Sequence, residues 1–181
     1  KSTLINAITG EKLARTSQET CTGNLSYLYN KPFEDNVIHL SASPLNFHAS
    51  YDDLANIEST VVSSIAAHFK TTLSHERVCI IDTPGVNSTL FKDHRKITTK
   101  AIQEENYDKL VYVLNANKLG TDEELSYIKW ISKNVPHNKV IFVINKLDDF
   151  KISEDSISES INNVRNDILS CGVKNPIICP I

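Results

Sequence analysis

Val140-Ile141-Phe142-Val143-Ile144 is an unbroken apolar run stopped by Asn145. A strand with one wet face alternates apolar with polar residues, so a run this short and unalternating fits a strand covered on both faces. Val78 to Ile81, Leu110 to Leu114 and Ile177 to Cys179 have the same character. Together they predict the buried centre of a mostly parallel central sheet with helices on both faces, an α/β fold.

Leu25 to Tyr29 and Val37 to Leu40 are two further strand candidates. Between and after the strands the apolar period changes. Leu54, Ile57, Val61, Ile65 and Phe69 step by three or four and predict a helix from about Tyr51 to Lys70. Thr121-Asp122-Glu123-Glu124 has the spacing of a capping box, opening a helix through Leu125, Ile128 and Ile131. Ile157, Ile161, Val164 and Ile168 mark another helix, which Gly172 can close with a left-handed cap.

The 181 residues show no change of composition, no repeat and no low-complexity tract, so one domain over 1–181 is expected. Nineteen basic against 22 acidic residues leave a net charge of −3, which gives no broad basic face for nucleic acid, and no such partner is expected. The cysteines at 21, 79, 171 and 179 form no C-x-x-C, and the six histidines show no metal-ligand spacing. Reduced structural thiols are expected rather than a zinc site. No apolar run approaches the roughly 20 residues of a membrane span and no signal peptide is visible. The expected setting is cytoplasmic, with peripheral attachment to a membrane left open.

In an open α/β sheet, ligands bind beyond the carboxyl ends of the strands, and the polar motifs of this chain fall there. Lys1-Ser2-Thr3 runs straight into the helical-looking Leu4 to Ile8, as the tail of the phosphate-binding pattern G-x-x-x-x-G-K-[ST] does. In that reading of a P-loop NTPase, Lys1 reaches the β- and γ-phosphates, the Ser2 hydroxyl meets Mg²⁺, and Thr3 lies beside them. A strand and glycine-rich turn, whose N–H groups cradle phosphate, are expected ahead of Lys1. Residues 1–181 taken alone are therefore expected to bind nucleotide poorly.

Asp82-Thr83-Pro84-Gly85 follows the Val78 strand. Asp82 is suited to hold Mg²⁺ through water, and the Gly85 N–H to meet the γ-phosphate with no side chain in the way, which would tell GTP from GDP. Asn145-Lys146-Leu147-Asp148 follows the Val140 strand. A carboxylate at 148 can accept from both the ring N–H and the exocyclic amine of guanine, where adenine presents a lone pair. Sites of this type discriminate on the order of 10⁴-fold. Thr22, in Glu19-Thr20-Cys21-Thr22-Gly23, is the chosen residue to close over Mg²⁺ and the attacking water, ahead of Thr20 and Thr16. Lys1 and Thr22 are thus the catalytic candidates, and GTP with Mg²⁺ the expected substrate and cofactor.

These residues resemble the dynamin-like large GTPases, in particular the bacterial dynamin-like and mitofusin-like branch. The resemblance covers nearly the whole chain. It rests on K-S-T-L-I-N-A-I-T-G at 1 to 10, C-T at 21 and 22, D-T-P-G-V-N-S-T at 82 to 89, V-L-N-A-N-K-L-G-T-D-E-E at 113 to 124, and N-K-L-D-D-F at 145 to 150. Pro176 to Ile181 looks like the strand leading to that family's final nucleotide loop. Thr22 and Asp82 stand 60 positions apart, whereas compact Ras-like and Era-like switches have little more than a strand pair there.

The resemblance implies Mg²⁺-dependent GTP hydrolysis, self-association through the GTPase domain, and membrane remodelling or tethering through regions outside these residues. Val86 stands where Ras-like enzymes place a water-orienting Gln, and an aliphatic side chain cannot position water. The resemblance puts the replacement group in the phosphate loop, with the site completed by dimerisation. Arg15, Arg77 and Arg95 are available charge donors, and spacing selects none of them. Two other classes stay open: a small Era-like regulatory GTPase of ribosome assembly, and a low-turnover GTP-binding assembly module.

Overall fold

The backbone of the chain pairs into two sheets, one in each of two compact units, Lys1–Ala101 and Ile102–Ile181. The structure, a computed structural model, describes residues 1–14, 25–42, 45–54, 62–85, 93–116, 120–147 and 154–181.

In the first unit, β1 (Ser26–Asn30), β2 (Ile38–Ala42), β3 (Leu45–Ala49), β4 (Ser64–Ala67) and β5 (Cys79–Asp82) lie in the order β3-β2-β4-β1-β5. Only β1 and β4 run parallel, with Tyr27 opposite Ser64. The β1·β5, β2·β3 and β2·β4 pairs are antiparallel. The expected mostly parallel sheet is therefore corrected here to a mixed one. The cause is visible in β2, where Ile38, Leu40 and Ala42 are buried and His39 and Ser41 are not. That alternation suits a strand with one covered face.

The expected helix from Tyr51 to Lys70 is also corrected. Among the described residues of that span α2 (Tyr51–Leu54) is helical but Ser64–Ala67 is a strand, while Ile57 and Val61 lie outside the described residues. Ile65 and Phe69 fit a helical period, but Ile65, Ala67 and Phe69 are also spaced by two, all buried, between the less buried Ala66 and His68. The period of two won, because it seats all three in one core with Leu28, Ile38 and Leu40. Ile65 and Phe69 each contribute about 1.5–3 kcal/mol by leaving water.

α1 (Ser2–Thr9) packs Ile5 into this core and is fixed at its far end. Gly10 closes it at φ 72°, a left-handed turn that glycine makes without strain. Thr71 Oγ1 donates to the Ile8 carbonyl at 2.8 Å, and the Lys70 N–H to the Thr9 carbonyl at 2.8 Å. The Asn6 side chain both donates to the Ala14 carbonyl and accepts from the Ala14 N–H, each at 2.7 Å.

α3 (Asp93–Glu104) was not foreseen from the sequence. Its buried stripe is His94, Thr98, Ala101 and Ile102, a helical spacing carried by polar and small residues that mask the apolar signal.

In the second unit, β6 (Leu110–Asn115), β7 (Val140–Asn145) and β8 (Ile177–Pro180) are all parallel, in the order β6-β7-β8. The crossovers are α4 (Asp122–Asn134) and α5 (Glu154–Ser170), giving two successive βαβ units. This is the expected parallel arrangement, but the expected buried centre is corrected: β7 is largely buried, whereas β8 exposes Ile177 and Cys179, β6 exposes Val111 and β5 of the first unit exposes Cys79. Phe142, Ile144, Ile131 and Ile168 lie at its centre, fully buried. The expected caps are present: Thr121 Oγ1 accepts from the Glu124 N–H at 3.3 Å. After α5, Gly172 at φ 93° donates to Leu169 and Val173 to Ile168 in the double closure of a Schellman turn.

Candidate functional site

Two groups of the singled-out residues stand at element ends, one in each unit. In the first unit, Lys1 is the N-cap of α1, Ser2 and Thr3 are its first helical residues, and Asp82 is the last residue of β5. The N-terminus of a helix presents free N–H groups and the positive end of its dipole, which favours anions.

The Lys1 side chain is folded onto the loop after β5. Its Nζ donates to the Thr83 carbonyl at 3.2 Å, to Thr83 Oγ1 at 3.4 Å and to the Pro84 carbonyl at 3.1 Å. Lys1 as a residue is exposed, but loss of water around the ammonium pulls its pKa below that of free lysine, against the upward pull of Asp82. Asp82 is only 7 % exposed. Burial pushes its carboxyl above the usual range, with the Lys1 charge pulling the other way. The two groups together form a partly desolvated cation and carboxylate beside a helix N-terminus.

Pro84 is fully buried, and its carbonyl also accepts from Thr98 Oγ1 of α3 at 2.9 Å. Gly85 behaves differently from Gly10. A Cβ there would meet nothing within 4 Å, and its backbone lies outside the left-handed region, so folding places no demand for glycine at 85.

In the second unit, Asn145 ends β7, and its Oδ1 accepts from the Lys146 N–H at 2.8 Å. Lys146 has φ 69°, left-handed for a residue with a Cβ. Such a conformation costs on the order of 1–2 kcal/mol and is found at binding and catalytic sites, where the surroundings hold it. Thr22 and Asp148 lie outside the described residues, as do Thr16, Thr20, Val86 and Arg15. Arg77 and Arg95 are both exposed. Sequence reasoning missed Thr98 because a lone threonine in a polar segment carries no signal until the helical stripe of α3 is known.

The dynamin family model matches residues 1–147. A curated protein of Caldicellulosiruptor sp. (strain Rt8B.4), described as an uncharacterized protein in the xynA 3' region, is 29% identical over 182 residues, covering 95% of this chain and 44% of that protein. Among solved structures, a chain of an oligomerised bacterial dynamin pair, described as a mechanism for the long range sensing and tethering of membranes, superposes with a TM-score of 0.66 at 18% identity. It is matched over 100% of this chain and 31% of its own length. A second chain from a structure described in the same words gives 0.65 at 17% identity, over 100% and 37% respectively. This chain therefore spans less than half the length of these proteins. The likeness to the solved structures speaks for the mixed α/β fold, and the family model covers most of the sequence: the chain belongs to the dynamin family, within its GTPase domain.

Proposed function

We propose that residues 1–181 form the GTP-binding and GTP-hydrolysing part of a dynamin-like protein, a single P-loop GTPase domain. The observation that carries this reading is the Lys1 ammonium set on the D-T-P-G loop beside a buried Asp82, at the start of α1. Lys1 is placed to donate to the β- and γ-phosphates, aided by the free N–H groups at Ser2 and Thr3. The Gly85 N–H is the γ-phosphate sensor. Asn145, Lys146 and Asp148 read guanine, and Thr22 orders the attacking water.

The residues present fit Mg²⁺. Burial disfavours the ionised form of Asp82, and a divalent cation would restore it. Ser2 adds a hydroxyl at the start of α1. Mg²⁺ usually keeps several waters and binds through one or two protein oxygens together with substrate phosphates. Mg²⁺ supplies neutralisation of charge on the transferring phosphate. Among the described residues the interval from Thr22 to Asp82 contains five strands, β1 to β5, of which β2, β3 and β4 exceed the pair of a compact switch. This favours a large GTPase over an Era-like one.

Among the described residues no helix is long and apolar enough to cross a membrane. The solved bacterial dynamin pair is described as oligomerised and as tethering membranes. We extend that to this chain as self-association through the GTPase domain, with peripheral membrane contact made by regions beyond it.

The test is GTP turnover by the full-length protein against its own concentration, with and without liposomes, beside Asp148→Asn. Specific activity is expected to climb with concentration or lipid. The Asn variant is expected to lose GTP turnover by about 10²-fold or more and to favour a xanthine nucleotide, whose C2 carbonyl accepts from the new amide. A flat, slow rate would instead support a regulatory switch or an assembly module.

A further inference from the structure

The Pro84 carbonyl and the Gly85 N–H are two ends of one planar peptide unit, so whatever fixes the first aims the second. Within the first unit that carbonyl is gripped from two sides. Lys1 Nζ donates to it at 3.1 Å and Thr98 Oγ1 at 2.9 Å. A carbonyl oxygen has two lone pairs, and two donors occupy them.

The two donors differ in permanence. Lys1 has three ammonium N–H groups, and three oxygens of the loop lie within its reach. A phosphate that draws this ammonium away takes it from the loop. Thr98 has a single hydroxyl proton and gives it to this carbonyl. It is 4 % exposed, sits in the middle of α3, and its hydroxyl is turned to the Pro84 oxygen. Threonine at a mid-helix position otherwise bonds back to its own helix or faces water, so a long-range bond to a buried loop carbonyl is a directed contact.

We infer that Thr98 is a positioning residue that aims the Gly85 N–H, holding the peptide unit in place when Lys1 transfers its donors to phosphate. This rests on the reading of Gly85 as the γ-phosphate sensor. It adds that discrimination between GTP and GDP depends on a side chain in α3 that touches no part of the nucleotide.

The experiment uses the full-length protein with Thr98→Val, which keeps the shape and removes the hydroxyl, and Thr98→Ser, which keeps the hydroxyl. Affinities for GDP and for a non-hydrolysable GTP analogue are measured by fluorescent-nucleotide titration, and the Pro84 carbonyl ¹³C and Gly85 amide ¹⁵N chemical shifts are recorded without added nucleotide. The expected result for Thr98→Val is analogue affinity reduced about tenfold with GDP affinity held, and both peptide shifts displaced as the Pro84 carbonyl loses a donor. Thr98→Ser is expected to restore both. Equal loss for both nucleotides, or no loss for either, overturns the inference. If the parent binds neither nucleotide, the reading of the site fails, and the peptide shifts still judge Thr98: Pro84 and Gly85 shifts unchanged in Thr98→Val overturn its positioning role.

Discussion

Asp82→Asn in the full-length protein is expected to raise the melting temperature at neutral pH while removing about 10²-fold or more of Mg²⁺-dependent GTP turnover. The carboxyl is buried at the end of β5, and burial lifts its pKa above the unfolded value more strongly than the Lys1 charge depresses it. A group of this kind binds its proton more tightly in the folded state. Its contribution is fully present below the usual carboxylate pKa of about 4 and is lost as pH rises through the raised folded value. The ionised carboxylate is therefore a net burden at pH 7 that the neutral amide does not carry. Calorimetry without nucleotide at pH 4, 5.5 and 7 should show the gap between variant and parent opening with pH, to a few degrees at neutrality. Equal melting at every pH would mean that Lys1 compensates the carboxylate in full.

Gly10→Ala is expected to destabilise the protein by about 2–4 kcal/mol, combining left-handed strain of about 1–2 kcal/mol with overpacking. The new Cβ would stand 2.7 Å from the Lys70 carbonyl oxygen and 2.9 Å from its carbon. That backbone cannot easily retreat, because the Lys70 N–H and the Thr71 hydroxyl are both bonded to the end of α1. Gly85→Ala supplies the contrast. With nothing within 4 Å of a Cβ and no left-handed φ, its stability should stay within about 0.5 kcal/mol of the parent while its preference for GTP over GDP falls. Chemical denaturation of the two variants separates a glycine required by the fold from one required by a ligand. A large loss at 85 with none at 10 would reverse the assignment.

The second unit was legible in its topology, although of its three strands only β7 is largely buried and Ile177 of β8 is 45 % exposed. Runs apolar at every position became parallel strands, and Thr121 and Gly172 cap the helices that their positions announced. The first unit was harder to read. Ile65 and Phe69 satisfy both a helical period and an alternating one, and only the neighbouring strands decide between them. His94 and Thr98 hid the inward stripe of α3 behind polar chemistry. Among the site residues, Asp82 and Asn145 stand at the strand ends their motifs suggested. The folding of Lys1 onto the Thr83 and Pro84 carbonyls is long-range geometry that no spacing encodes.

The way α1 is fastened bears on how the chain is made. Its closing partners at Lys70 and Thr71 lie far downstream, the Thr71 hydroxyl bonding a carbonyl 63 residues earlier. A helix of eight residues is marginal in water by itself. At synthesis rates of about 5–20 residues per second, the segment carrying Lys1 therefore leaves the ribosome some 3–13 seconds before the residues that can hold it. During that interval its apolar side is open to chaperones.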